Sequence, residues 1–365
     1  MSTLVVSSYT PALGSGHALR TYATVRALAA HGPVELLYKP FGADEPDPAY
    51  GAVEGVSLRA VEAGRGPGRA VAVLRAQLGG VPPRVARGIS PELRAAAERA
   101  ASDHERVIAE DLMTAAALLR LAGRRPVIYS ANNLESAFRD FGSMKRLRAF
   151  ERRLLEAMAE TWMPSRDEIA IAAEMAPAAA LRYVPNAVDV AAIEPRRAVA
   201  DPPAVLYVAD FTYAPNRQGL ALLGKVLPRV WESAPDVRLV VAGRGAEPPP
   251  DGDPRVSILG FVDDLAPLYE GAACAVVPLT TGGGSPLKFV EALAYGVPVV
   301  STPRGAGGLG VAAGREYLEG DDADGLARAI LAALDPARGE ALGGAGRAFA
   351  EREHSIESLV PRLED

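Results

Sequence analysis

Residues 282–301 read Gly-Gly-Gly-Ser-Pro-Leu-Lys-Phe-Val-Glu-Ala-Leu-Ala-Tyr-Gly-Val-Pro-Val-Val-Ser, a glycine run followed by the marks of a short helix. Ser285 has the side chain of an N-cap and Pro286 suits the first helical position. Gly296 followed by Pro298 supplies a stop, so the pattern predicts a helix over 286–295. The free N–H groups of its first turn, with the dipole behind them, point back at Gly282, Gly283 and Gly284. Glycines there let a phosphate approach the backbone closely. Gly283, Gly284, Ser285, Pro286, Leu287 and Lys288 are therefore the candidate anion-binding segment. Lys288 lies in the first turn, where a cation opposes the helix dipole unless an anion compensates. Glu291 sits three residues on along the same face, placed to accept hydrogen bonds from ribose hydroxyls. The two side chains read equally as an ordinary surface pair, although a salt bridge alone does not explain three consecutive glycines.

Working outward, that segment closes the second of two strand–helix series. The first opens with Leu4-Val5-Val6, turns through Gly14-Ser15-Gly16, and runs into a helical pattern over 18–30 before Val34-Glu35-Leu36-Leu37-Tyr38 resumes as a strand. It continues through Val107-Ile108-Ala109 and Val127-Ile128-Tyr129 to a charged helix over 143–159. The second starts at Val205-Leu206-Tyr207-Val208, continues with a helix near 217–234, and returns at 237–243, 256–259, 274–278 and 297–301. Such βαβ alternation implies parallel sheets covered by helices, hence an α/β protein of two doubly wound, Rossmann-like domains. The expected boundaries are 1–190, a proline-rich linker at 191–203, and 204–345, with a terminal helix at 346–365 packing back on the first domain. Ligands in such sheets bind beyond the carboxyl ends of the strands. The turns at 14–16, 209–211, 243–245 and 282–285 are thus expected to line a cleft between the domains.

A chain of 365 residues exceeds the usual single core, and 49% hydrophobic with only 6% aromatic residues predicts aliphatic cores. The net charge of −6 divides unevenly: residues 1–190 hold 23 Lys+Arg against 21 Asp+Glu, the remainder 16 against 24. Neither half is basic enough for nucleic acid as a general partner. The start of the chain has no basic, apolar leader, and no run approaches membrane-spanning length, so a cytosolic protein is expected. Cys274 lies in an apolar run and reads as a core thiol. Asp263-Asp264 and the acidic cluster at 321–324 read as loop and helix-start residues, and no metal is expected. The segment 247–252 reads as an exposed proline-rich loop. Glu110 and Asp111 end a first-domain strand at a plausible acceptor position, with helix capping an equal reading for Asp111. The segment 145–154 carries five basic residues, either a solvated helix face or a peripheral contact with anionic lipid or a charged acceptor.

Several separate segments resemble the retaining GT-B glycosyltransferases often called GT4-like, in that family's order. They are Gly14-Ser15-Gly16-His17-Ala18-Leu19-Arg20, Asn132-Asn133-Leu134-Glu135, Val184-Pro185-Asn186-Ala187-Val188-Asp189, Tyr213-Ala214-Pro215-Asn216, Val241-Ala242-Gly243, Gly260-Phe261-Val262-Asp263-Asp264 and 282–301. The resemblance implies a nucleotide-diphosphate sugar as co-substrate and an acceptor molecule as partner, with no further cofactor. It implies that Glu291 holds the ribose, that the 282–285 amides meet the sugar phosphate, and that Lys288 or Arg217 neutralises the diphosphate. Gly243 and Arg244 follow a strand and join the donor set with Gly16. Gly14, His17 and Glu110 are expected on the acceptor side, and Asn132 stands where the family has a catalytic-side histidine. Many relatives carry Glu at the position of Gly283; a subgroup with a Gly-Gly-Gly-Ser/Thr loop shares the change. The implied chemistry is a retaining, metal-independent transfer in which the leaving phosphate takes the acceptor proton. Two other readings stay open: epimerisation or phosphorolysis on the same fold, and a binding protein that has lost its chemistry.

Overall fold

The computed structural model describes residues 1–42, 45–62, 67–137, 144–196, 199–247 and 252–364. Ser143, Arg197 and most of the proline-rich loop at 247–252 lie outside the described residues. The chain divides into two compact units, Met1–Asn186 with Ile356–Asp365, and Ala187–Ser355. Within the first, a seven-stranded sheet contains β1 (Thr3–Ser7), β2 (Val34–Tyr38), β3 (Val56–Ala60), β4 (Arg106–Glu110), β5 (Ile128–Ser130), β6 (Glu160–Met163) and β7 (Leu181–Tyr183). The spatial order is β3-β2-β1-β4-β5-β6-β7, and every pairing is parallel. The second unit holds β8 (Ala204–Val208), β9 (Arg238–Ala242), β10 (Val256–Ile258), β11 (Ala272–Val277), β12 (Val299–Ser301) and β13 (Tyr317–Glu319). Its order is β10-β9-β8-β11-β12-β13, again all parallel. The two-domain, parallel-sheet α/β class expected from the sequence is the one observed.

The central strands read as continuous apolar runs because helices cover both faces. Leu4, Val5 and Val6 of β1 are fully buried, and all six residues of β11, Cys274 included, are buried. Burial pushes the Cys274 thiol up to about 12, as befits a core residue. In each sheet the chain reverses its winding between two neighbours, β1 and β4 in the first and β8 and β11 in the second. The crevice outside the carboxyl ends of those strands is where such folds take ligands. Among the described residues, no helix is long and apolar enough to cross a membrane.

Two expectations differ from the structure. The short helix spans Leu287–Ala294, with Pro286 in the cap position at φ −70° and ψ 113°. Proline disfavours helical geometry in the residue before it, so the chain stays extended through Ser285 and Ser285 does not cap. The final long helix is Pro336–Glu353, within the second unit, capped by Asp335; only the segment from Ile356 onward belongs with the first.

Inside the first unit, Arg20 and Glu110 are both buried. Arg20 donates through Nη1 to the Val184 carbonyl at 3.0 Å and to Asn186 Oδ1 at 3.1 Å. Burial raises the Glu110 pKa, and the Arg20 and His17 charges oppose the rise. Arg20 therefore offsets the burial of a carboxylate while pinning the end of the unit. Arg20→Leu leaves that carboxylate uncompensated, and should lower unfolding stability by about 3–5 kcal/mol in urea titration. Arg20→Leu combined with Glu110→Leu should recover much of the loss.

Candidate functional site

In the second unit, the turn after β8 leads into helix Ala214–Ser233, and the glycine loop after β11 leads into helix Leu287–Ala294. Those two connections meet at Lys288. Its Nζ donates to Asn216 Oδ1 at 2.6 Å and lies 5.2 Å from the centre of the Tyr207 ring. Asn216, itself buried, donates from Nδ2 to the Asp210 carbonyl at 2.7 Å, and its own carbonyl accepts from the Tyr207 hydroxyl at 3.1 Å. The ammonium is thus held in place with one neutral acceptor and an aromatic face. Burial lowers its pKa to about 7, against the pull of the Glu291 and Asp210 charges. Glu291, one turn on, has its carboxyl pushed up to about 7 by burial, opposed by the nearby Tyr269 hydroxyl and by Lys288. Both groups sit at the edge of ionisation near neutral pH, so an arriving charge selects their state.

The loop itself is tied on two sides. Arg304 donates to the Gly282 carbonyl, and the Thr281 hydroxyl donates to Gln218 Oε1 at 2.6 Å. Gly282 and Gly284 adopt φ of 92° and 73°, the left-handed region that favours glycine. A Cβ on Gly282 would stand 2.9 Å from the Tyr213 hydroxyl and 3.1 Å from Pro215 Cγ. The first glycine is therefore required by its neighbours in the β8 turn, and Gly283, beside it, does not share the positive φ.

The two arginines expected near a diphosphate serve local contacts. Arg217 is exposed and donates through Nη1 to the carbonyls of Phe211 and Thr212, both at 2.7 Å, stapling the turn after β8. Arg244, also exposed, stacks 4.9 Å from the Phe261 ring centre. Gly243 brings β9 and β8 together: at φ 136°, a Cβ there would fall 1.7 Å from the Ala209 carbonyl oxygen. Asp264 accepts from the Ala266 N–H and Asp322 caps helix Ala323–Ala333 through the Gly325 N–H. Among the described residues, no group of three or more His, Cys, Asp and Glu is arranged to hold a metal.

In the first unit, Ser15 caps helix Gly16–Ala29 by accepting from the Ala18 N–H, so the Gly14–Gly16 turn is where that helix begins. His17 packs edge-on against Tyr9 with ring centres 4.7 Å apart. His17 and Asn132 line one cavity of about 350 Å³, together with Tyr9, Arg84, Tyr129 and Glu135. Both His17 ring nitrogens and Asn132 Oδ1 are buried without hydrogen-bond partners among the described residues, leaving unused polar capacity at that cavity. Glu110 does not line it; its neighbour Asp111 does. The Asp111 carboxylate is committed to capping, accepting from Met113 N–H at 2.7 Å, Thr114 N–H at 2.9 Å and the Ser8 hydroxyl at 2.5 Å.

The turn carrying Asn132 and Glu135 is built from beneath by two buried carboxylates. Glu168 accepts from the Leu134 N–H at 2.7 Å and Glu151 from the Ser136 N–H at 2.9 Å. Burial, with the Glu151 charge, pushes the Glu135 carboxyl up to about 7, and the Arg84 charge opposes.

Sequence reasoning missed Asn216, Tyr207 and Asp210 as a support for Lys288, although Asn216 closes the quoted Tyr213-Ala214-Pro215-Asn216 segment. It also missed Arg304 and Glu135. Nothing in local sequence marks Arg304, which meets the loop through the parallel pairing of β11 and β12.

Residues 202–336 match the family of glycosyl transferases group 1. The chain is 33% identical over 163 residues to a GDP-mannose-dependent monoacylated alpha-(1-6)-phosphatidylinositol monomannoside mannosyltransferase of Corynebacterium glutamicum, covering 40% of this chain and 43% of that protein. It is 32% identical over 166 residues to a phosphatidyl-myo-inositol mannosyltransferase of Mycolicibacterium smegmatis, covering 42% of each. The chain thus spans under half the length of these curated relatives in the matched region. Among solved structures, Anabaena HepE in complex with UDP and glucose is similar at a TM-score of 0.73 and 15% identity, over 99% of this chain and 97% of that one. Sucrose-phosphate synthase from Thermosynechococcus elongatus is similar at 0.73 and 19%, over 100% and 97%. At that identity the likeness carries the fold.

Two measurements check the geometry. Gly282→Ala should force the loop against Tyr213 and Pro215 and weaken nucleoside diphosphate binding roughly tenfold or more by calorimetry. Glu135 binds its proton more tightly folded than unfolded, so its ionisation costs stability as pH rises through about 7. Glu135→Gln should therefore raise the melting temperature by ~2 °C at pH 8 and leave it unchanged at pH 5. The family match falls within the second unit, and the architecture of two parallel-sheet units is the one shared with the HepE and sucrose-phosphate synthase structures.

Proposed function

We propose that this protein transfers a sugar from a nucleoside-diphosphate sugar to a lipid, glycan or small-molecule acceptor, with retention at the anomeric carbon and without a metal, in the cytosol. The observation that carries the reading is Lys288 held on Asn216 beside Glu291, at the start of the helix that follows the glycine loop. In this reading the backbone amides of Gly283, Gly284 and Ser285 and the Lys288 ammonium hold the diphosphate, and Glu291 accepts from the ribose hydroxyls. The bond from the anomeric carbon to the phosphate oxygen breaks as the acceptor oxygen bonds to the same face, and the departing phosphate takes the acceptor's proton. No separate base is required, so the protein's part is positioning and charge. The acceptor hydroxyl is assigned to the first unit's cavity, where His17 and Asn132 offer unused hydrogen-bonding capacity. The relatives named for phosphatidylinositol substrates favour a lipid-linked acceptor, and GDP-mannose heads the donor candidates. The UDP complexes of HepE keep UDP-sugars on the panel.

The test is calorimetric titration with UDP, GDP, TDP and ADP sugars, followed by product analysis with the donor that binds. Near pH 8 Lys288 is mostly neutral and Glu291 mostly ionised when free, because both titrate at about 7. An arriving diphosphate raises the Lys288 pKa, so binding at that pH should take up a proton, seen as a dependence of the measured heat on the buffer. Affinity should fall as pH rises from 7 to 9. Lys288→Met should abolish the uptake, and Glu291→Ala should lower affinity by about tenfold or more. Binding without any glycosylated product would leave a nucleotide-binding protein, and an altered sugar nucleotide would point to epimerisation.

A further inference from the structure

Tyr269 lies in the short helix Ala266–Gly271, between β10 and β11, and is 1% exposed. Its ring stacks on that of Tyr295, with centres 4.7 Å apart and planes 11° from parallel. Tyr295 stands where helix Leu287–Ala294 ends, one turn beyond Glu291, and its N–H donates to the Glu291 carbonyl at 3.0 Å. Ring stacking therefore fastens Tyr269 to the helix that carries Glu291. The Tyr269 hydroxyl faces the Glu291 carboxyl.

That hydroxyl is buried and makes no hydrogen bond of normal geometry among the described residues. An unmade buried bond costs stability, and phenylalanine would fill the same space without that cost. Tyr207, equally buried in the same unit, shows the ordinary solution, its hydroxyl donating to the Asn216 carbonyl at 3.1 Å. The Tyr269 hydroxyl is explained if its neighbour becomes a strong acceptor when a ligand arrives. Glu291 is partly exposed, and an ionised carboxylate has about four lone-pair sites, enough for one tyrosine and two ribose hydroxyls together. Lys288 and Tyr295 also face Glu291, and Asp264 and Glu270 face Tyr295. Lys288 is already held by Asn216, which leaves Tyr269 as the neutral donor within reach.

We propose that Tyr269 is a positioning residue for Glu291: its hydroxyl donates to the carboxylate as a ligand's ribose binds, fixing the carboxylate so that it accepts from the ribose hydroxyls. The inference rests on the nucleotide-sugar reading and deepens it, naming the residue through which the site selects ribose over deoxyribose.

The test variant is Tyr269→Phe, which keeps the stacked ring and removes only the hydroxyl; circular-dichroism melting confirms that it is folded. The first measurement needs no ligand: a carbon-13 NMR titration of the glutamate carboxyls, with the Glu291 signal assigned by its loss in Glu291→Gln. Its midpoint should move up by about one pH unit in Tyr269→Phe, because the carboxylate loses a donor. The second is calorimetry with GDP and UDP, each beside its 2′-deoxy form. At about pH 7 the variant should bind the preferred ribonucleotide about tenfold or more weakly, and its 2′-deoxy form about threefold or less. The gap between wild type and variant should narrow towards about pH 9, where Glu291 ionises unaided. A ring that serves packing alone leaves both the midpoint and the affinities unchanged, and that result overturns the proposal. Equal losses for the ribose and deoxyribose forms overturn it too. Wild type that binds neither nucleotide sinks the nucleotide reading and the ribose role with it, while the titration still decides separately whether Tyr269 holds Glu291.

Discussion

The geometry around the second unit's glycine loop depends on one hydrogen bond, from the Lys288 ammonium to Asn216 Oδ1 at 2.6 Å. A lysine buried without an acceptor would simply lose its proton and swing away. Here a neutral amide, itself donating to the Asp210 carbonyl, on a residue whose backbone carbonyl accepts from the Tyr207 hydroxyl, keeps the nitrogen in place whichever way it titrates. That bond also joins the connection after β8 to the connection after β11 across the point where the sheet reverses its winding. The glycine loop inherits its position from the same junction, because Gly282 can lie against Tyr213 and Pro215 only while that turn stays where Asn216 holds it.

The first unit solves a comparable problem with opposite charge. In its turn carrying Asn132 and Glu135, Glu168 accepts from the buried Leu134 N–H and Glu151 from the half-buried Ser136 N–H. Burial, together with the Glu151 and Glu168 charges, raises the cost of ionising Glu135. The arrangement resembles the Lys288–Glu291 pair in one respect: in each unit a titratable group stands near neutrality at the carboxyl edge of the sheet, where a ligand's own charge or hydroxyl groups change the balance.

Much of the architecture was legible in local sequence. The apolar runs at 4–6, 205–208 and 274–277 are buried strands because central parallel strands show no polar face, and the intervening helical patterns leave only a parallel crossover. Gly282 was legible as a place of close approach, read as a phosphate's, and Gly243 as a donor contact; the structure sets Tyr213 and Pro215 against the first and the Ala209 carbonyl against the second. Ser285 was misread because capping competes with the restriction that the following proline imposes, and the proline won. Arg217 and Arg244 were legible as cations near the right strands, but where a long, flexible side chain lands depends on carbonyls and rings brought in from elsewhere.

By itself, the sequence determined the alternation of strands and helices, the division into two parallel-sheet units, and the glycine loop followed by the helix in which Lys288 and Glu291 stand. These follow from interactions a few residues apart: periodicity, turn chemistry and glycine's conformational range. Only the tertiary structure decided that Asn216 supports Lys288, that Arg304 clasps the glycine loop, that His17 and Asn132 share a cavity while Glu110 is sealed beneath it, and that Tyr269 faces Glu291. Each of those facts joins residues far apart in the chain. Hydrogen bonding and burial act over a few ångströms in space, and separation along the chain carries no record of which distant groups the sheet order brings together.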